Sequence, residues 1–184
     1  MARKFDAYFI SLHIALVALC VVTVLLAIDN RRLKQPASGG FDAGGPVVGQ
    51  SVQPVPWETL DGGQQTLELA GGERDSLLLV FTTECPACRE NQTAWRGLHQ
   101  EVGNDVEVVG ISLSALADTR TYRDTHQLSF PVGVPTDPGS FASQLAITGV
   151  PMTIRVGADG RVQGSWSGIL SKQQISEVTR FDRG

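Results

Sequence analysis

The sequence predicts an α/β domain with a mixed central sheet flanked by helices, carried behind an N-terminal transmembrane helix. Three observations point there. Two apolar runs, 76–81 and 106–111, are each followed by a polar, helix-compatible segment, as in buried strands that alternate with helices. Downstream, Met152 to Val156 and Arg161 to Gly164 flank an Asp159-Gly160 turn and lead into a last amphipathic segment, which describes a hairpin and a closing helix. Ahead of both, the stretch from Tyr8 to Ile28 runs for 21 residues without a formal charge. About 20 such residues are needed to cross a bilayer as a helix.

Taken in order, residues 1–29 read as an uncleaved signal anchor. A cleaved signal peptide would have an apolar core of about 7–15 residues ending in small residues. Here the core is longer and Leu26-Ala27-Ile28-Asp29 makes a poor cleavage site. Ser11, His13, Cys20 and Thr23 lie inside the span, which a helix tolerates because it satisfies its own backbone. His13, less than two turns from the start, is placed at the interface. Cys20 reads as a small apolar residue, with lipidation or a dimer crosslink as alternatives. Arg3 and Lys4 precede the span and Arg31, Arg32 and Lys34 follow it, so charge alone leaves the orientation undecided.

Residues 30–46 contain Pro36-Ala37-Ser38-Gly39-Gly40 and Gly44-Gly45, the composition of a flexible tether. The domain is expected over 47–184. Trp57 to Leu60 and Thr66 to Leu69 flank Asp61-Gly62-Gly63, a hairpin with Asp-Gly at its turn. After the apolar run 76–81 comes a helix from Pro86 to about Val102, then the strand 106–111 and a polar helix around 116–127. A short helix near 140–145 precedes the strand from Met152 to Val156. The closing helix is expected from about Lys172 to Phe181, with Ile175, Val178 and Phe181 at helical spacing.

The charge balance excludes one class of partner. The cations Arg3, Lys4, Arg31, Arg32 and Lys34 all precede residue 40, so beyond it ten of the 15 Lys/Arg face seventeen of the 19 Asp/Glu. The soluble part is therefore acidic, and no basic patch interleaved with aromatics suggests nucleic acid.

The chemistry sits in Cys85-Pro86-Ala87-Cys88, between the first apolar run and the helix that follows. Two thiols at this spacing can close a small ring reversibly. A Cys at a helix N-cap also faces unpaired N–H groups and the positive end of the helix dipole, which favour its thiolate. Pro86 falls at the first helical position, where its missing N–H costs nothing. The alternatives are a structural disulfide or half of a zinc site. Zinc takes about four ligands, and outside the first 35 residues only His99 and His126 add to the pair. No cofactor beyond the two sulfurs is expected.

These segments resemble the thioredoxin fold, and in particular the membrane-anchored TlpA/ResA/MauD-like thiol–disulfide oxidoreductases. The resemblance covers roughly 47–180. It rests on the Asp61-Gly62 hairpin, on the run from Phe81 to Arg89, on Phe130-Pro131 with Asp137 downstream, and on the run from Ile147 to Ile154 followed by Asp159-Gly160. It implies a cis-proline at Pro151 packed against the disulfide, with the Val150 backbone exposed to pair with an extended client chain. It also implies that Cys85 attacks and that the more buried Cys88 resolves the mixed disulfide. Disulfide or dithiol client proteins and a membrane thiol-electron donor are the implied partners, alongside the bilayer at residues 8–28. An oxidising compartment suits such a domain, so the expected location is the inner membrane, with the soluble domain on the periplasmic side. Relatives of this kind mostly reduce clients, as in cytochrome c maturation.

Three positions depart from the pattern. Glu84 replaces the usual aromatic before the first Cys, and a carboxylate there opposes the Cys85 thiolate. Leu79 stands where thioredoxin carries a buried acid, which leaves Glu84 either as a substitute proton acceptor or as a solvated rim charge. Thr93 stands where thioredoxin has a helix-kinking proline, so a straighter helix is expected; Trp95 and Arg96 on it read as packing and solvent contacts. Two rival functions share some of the motif. A peroxiredoxin-like peroxidase would use Thr82 three residues before Cys85, but lacks its proline, having Leu78. A copper chaperone would want one more residue between the cysteines and a late His, and none follows His126.

Overall fold

A computed structural model describes residues 16, 20, 22, 23, 44–103 and 105–180 of the 184-residue chain. The expected anchor and tether lie outside these residues apart from Leu16, Cys20, Val22, Thr23 and the last three tether positions, and so does the expected helix end at Phe181. Among the described residues no helix is long and apolar enough to cross a membrane.

The seven strands described are β1 (Val55–Thr59), β2 (Gln64–Leu67), β3 (Asp75–Phe81), β4 (Val106–Ser112), β5 (Val132–Pro135), β6 (Met152–Val156) and β7 (Val162–Ser167). They form one mixed sheet in the order β2-β1-β5-β4-β3-β6-β7. β3 is parallel to β4 and antiparallel to β6, and β4 is parallel to β5. Among the described residues 44–180 the helices are α1 (Pro86–Val102), α2 (Leu116–His126), α3 (Pro138–Gln144) and α4 (Lys172–Val178).

The first apolar run explains the architecture. Leu77, Leu79 and Phe81 of β3 point to one face with Cys88, Trp95 and Leu98 of α1, Tyr122 of α2 and Val178 of α4. Leu78 and Val80 point to the other face with Phe141 and Leu145 around α3. All five β3 side chains are at most 1% exposed, which is why the run is continuous rather than alternating. The Asp61-Gly62 hairpin forms as expected: β1 pairs with β2 through Glu58 and Gln64, and Gly62 takes φ +88°, a left-handed conformation costly for other residues.

β5 was not among the expected elements. Its four residues carry Gly133 in the middle and Pro135 at the end, with Pro131 just before them, a composition that reads as loop. Strand geometry comes from its neighbours instead, because β4 and β1 pair with it from both sides. Gly133 is required there, since a Cβ would run into the Trp57 ring.

Among the described residues, Gly44 is already packed against the domain. Its carbonyl accepts from the Thr148 N–H at 3.4 Å, and a Cβ at Gly44 would lie 2.6 Å from the Ala146 carbonyl. Residues 46–52 then run beside β7. The Gly49 N–H donates to the Val162 carbonyl and the Val162 N–H to the Gln50 carbonyl, while the Ser165 hydroxyl donates to the Pro46 carbonyl.

Candidate active site

β3, an interior strand between β4 and β6, ends at Phe81, and the next four residues turn the chain into α1. Cys85 is the N-cap of that helix, with extended backbone (φ −78°, ψ 113°), and Pro86 opens the first turn. The Cys88 N–H donates to the Cys85 sulfur at 3.0 Å. Cys85 therefore receives the hydrogen bond that a capping oxygen usually accepts, and the same donor would stabilise a thiolate there. The two cysteines are joined in a disulfide. They are not equivalent: Cys88 is fully buried and Cys85 is partly exposed.

The Val150-Pro151 peptide is cis, and the Cys85 sulfur lies 3.6 Å from the Val150 carbonyl oxygen. Pro151 is buried and Val150 half-buried against the same cluster as the cysteines. The sequence-expected residues Cys85, Pro86, Cys88, Val150 and Pro151 thus converge. Glu84 and Pro86 are exposed at the rim. Leu79 is 0% exposed in the cluster that holds Cys88, so the position of thioredoxin's acid is apolar here. Thr93 is exposed, and α1 runs through it as one helix from 86 to 102.

Buried polar groups around the disulfide went unread in the sequence. Asn91 is 0% exposed; its carbonyl accepts from the Leu170 N–H at 3.0 Å and its amide donates to the Gly168 carbonyl at 3.4 Å. The Gly168 N–H donates to the Pro151 carbonyl at 2.8 Å. Trp95, expected only to pack, also donates from Nε1 to the Thr153 hydroxyl at 3.0 Å. On the other side, the Thr83 N–H donates to the Ser114 hydroxyl at 3.0 Å, tying the redox turn to the loop after β4. Gln92 donates to the Tyr122 hydroxyl at 2.7 Å. Burial raises the Tyr122 pKa, with the Gln92 hydrogen bond and the Arg89 charge pulling it back. A signal for Asn91 and Gln92 did exist. Both fall on the face that Cys88, Trp95 and Leu98 define, where a polar residue must find buried partners.

The AhpC/TSA family model matches residues 48–164. The chain belongs to the AhpC/TSA family. Solved structures agree on the fold. StoA from Bacillus subtilis superimposes with a TM-score of 0.58 at 17% identity, over 71% of this chain and 100% of its own. The thioredoxin domain of a thiol-disulfide oxidoreductase from Bacteroides vulgatus gives 0.62 at 14% identity, over 72% of this chain and 94% of its own. A thiol-disulfide isomerase from Corynebacterium glutamicum gives 0.61 at 17% identity, over 71% and 94%. No curated protein matches. The thioredoxin-like α/β fold expected from the motifs is the fold observed.

Proposed function

We propose that this AhpC/TSA protein is a membrane-tethered thiol–disulfide oxidoreductase that reduces client disulfides through Cys85 and Cys88. One observation carries the reading: a partly exposed sulfur at the helix N-cap, beside the Val150 backbone, is bonded to a fully buried one. In the reduced enzyme the Cys85 thiolate attacks one client sulfur and forms a mixed disulfide, and the other client sulfur leaves as thiolate. Cys88, on losing its proton, attacks the Cys85 sulfur. The enzyme disulfide re-forms and the second client thiolate departs, so two electrons have passed to the client. A dithiol donor in the membrane then restores Cys85 and Cys88. Val150 offers backbone to an extended client segment beside the sulfur, as in strand addition.

Tethering through residues 8–28 and a periplasmic domain rest on the uncharged 21-residue stretch and on the compartment such chemistry suits. Envelope clients such as apocytochrome c fit that placement. Bonding of Cys85 to a partner one helical turn away supports exchange over a peroxidase with a distant resolving thiol.

A Cys88→Ala variant tests the roles directly. It should accumulate clients as mixed disulfides on Cys85, and a Cys85→Ala variant should trap none. The equilibrium potential against glutathione tests direction, and a value near about −120 mV, that of a strong oxidant, would reverse the assignment. Peroxide consumption by the reduced protein would favour the peroxidase.

A further inference from the structure

We infer that Asn91 is a positioning residue, a buried amide that fixes the Cys85 sulfur against the Val150-Pro151 backbone and so governs how tightly a client chain is held. The inference rests on the oxidoreductase reading above. Asn91 lies on α1, one turn beyond Cys88, and is 0% exposed. Burying an amide is unfavourable unless its carbonyl and its NH₂ both find partners. Here both are used on a single three-residue turn, with the carbonyl on the Leu170 N–H and the NH₂ on the Gly168 carbonyl.

That turn is in turn bonded to the cis-proline. The Gly168 N–H donates to the Pro151 carbonyl at 2.8 Å, so an unbroken path of hydrogen bonds runs from α1 through Asn91 and Gly168 to Pro151. Gly168 has φ +83°, a conformation that leaves the turn poorly suited to any other residue. Leu170 is buried in the cluster that holds both cysteines, while Ile169 between the two anchors stays 48% exposed. Asn91 thus holds in one geometry the helix that carries the sulfurs, the strand start that offers backbone, and an exposed apolar side chain.

The reactivity of Cys85 has a separate source. Its sulfur takes the Cys88 N–H at 3.0 Å and sits at the helix N-terminus, and neither feature involves Asn91. Loss of Asn91 should therefore weaken client capture and spare thiolate chemistry, a split that a merely structural role would not produce.

The test uses the full chain in detergent with Asn91→Leu and Asn91→Asp, assayed on a disulfide-bonded peptide and on a small aromatic disulfide that lacks a peptide backbone. For Asn91→Leu the KM for the peptide should rise about tenfold, the effect of one misplaced hydrogen-bonding register, with kcat within about twofold. Exchange with the aromatic disulfide and alkylation of Cys85 should stay within about twofold of wild type. In Asn91→Asp one oxygen still accepts from Leu170, and the other must carry a proton to donate to the Gly168 carbonyl from this buried site. At a pH low enough to protonate it, the peptide KM should fall between those of wild type and Asn91→Leu; this variant carries the test if Asn91→Leu does not fold. An unchanged peptide KM, or an equal loss on both disulfides, overturns the role of Asn91. A wild-type chain that exchanges with neither disulfide overturns the oxidoreductase reading itself.

Discussion

The Cys85 sulfur lies 3.6 Å from the carbonyl oxygen of Val150, a residue 65 positions further along the chain. No local interaction makes that contact. β6 is antiparallel to β3, so the residues that begin β6 come back to the end of β3, where the redox turn starts. The pairing of Val80 with Met152 sets the register, and Pro151 immediately precedes it. The contact is therefore a product of sheet register, and substitutions that loosen α1 or β6 should act on it.

Trp95 is the first case. Its Nε1 bond to the Thr153 hydroxyl joins the middle of α1 to β6 two residues beyond Pro151, with both residues buried. Trp95→Phe keeps most of the ring and leaves the Thr153 hydroxyl without that donor. It should destabilise the domain by about 1–3 kcal/mol, read by urea unfolding. Adding Thr153→Val removes the stranded hydroxyl and should recover part of the loss. A double variant no better than the single would show that lost ring packing, not the hydrogen bond, sets the cost.

Glu84 offers a charge test. Its carboxylate is exposed beside the N-cap cysteine, where it opposes the thiolate that the helix end favours. Exposed charges are weak and screened, with a Debye length of about 3 Å at 1 M salt. Glu84→Gln should therefore raise the alkylation rate of reduced Cys85 at pH 6 only a few-fold at low salt, and the gain should vanish at high salt. A large loss of exchange rate in the same variant would instead make Glu84 the proton acceptor for Cys88.

The limits of sequence reading follow the same division between local and distant causes. Cys85 at an N-cap, Pro86 after it and the strand before them are all local, and all were legible. β5 was not, because Gly133 and its flanking prolines argue locally for a loop and only β1 and β4 make it a strand. The partners of Asn91 lie 77 and 79 positions away, so its burial could be suspected from the helical face but its purpose could not. Ser114 was hidden more completely: a serine after a strand has no pattern that points to Thr83, 31 residues earlier.

The segment from Gly44 to Val52 provides the third prediction. It bonds along β7 through Gly49 and Gln50, buries Val52 to 3% exposure and contacts Ala146 and Thr148 ahead of the cis-proline. A domain that starts at Gln53 loses at least three backbone hydrogen bonds, of Gly49, Val52 and Val162, each worth about 0.5–1.5 kcal/mol, together with the burial of Val52. It should be less stable than one starting at Gly44 by about 3–5 kcal/mol in denaturant unfolding. Equal midpoints for the two would mean that residues 44–52 contribute nothing to the fold.

Tyr122 provides a pH test with a definite sign. Burial raises its pKa above the ordinary value near 10.0, against the opposing pull of Gln92 and Arg89. Above about pH 10 the unfolded chain begins to release the phenol proton while the folded chain still holds it. Unfolding then releases a proton, so stability is intact below pH 10 and declines as pH climbs toward the folded-state pKa. Tyr122→Phe removes that group and should show a shallower alkaline decline between pH 9 and 11 in urea unfolding monitored by circular dichroism. At pH 7 the same variant leaves the buried Gln92 amide without its 2.7 Å partner and should be less stable by about 1–3 kcal/mol. The wild-type and variant stability curves should therefore converge as pH rises. Parallel curves across that range would show that Tyr122 titrates alike in the folded and unfolded chains, and that burial does not hold its proton.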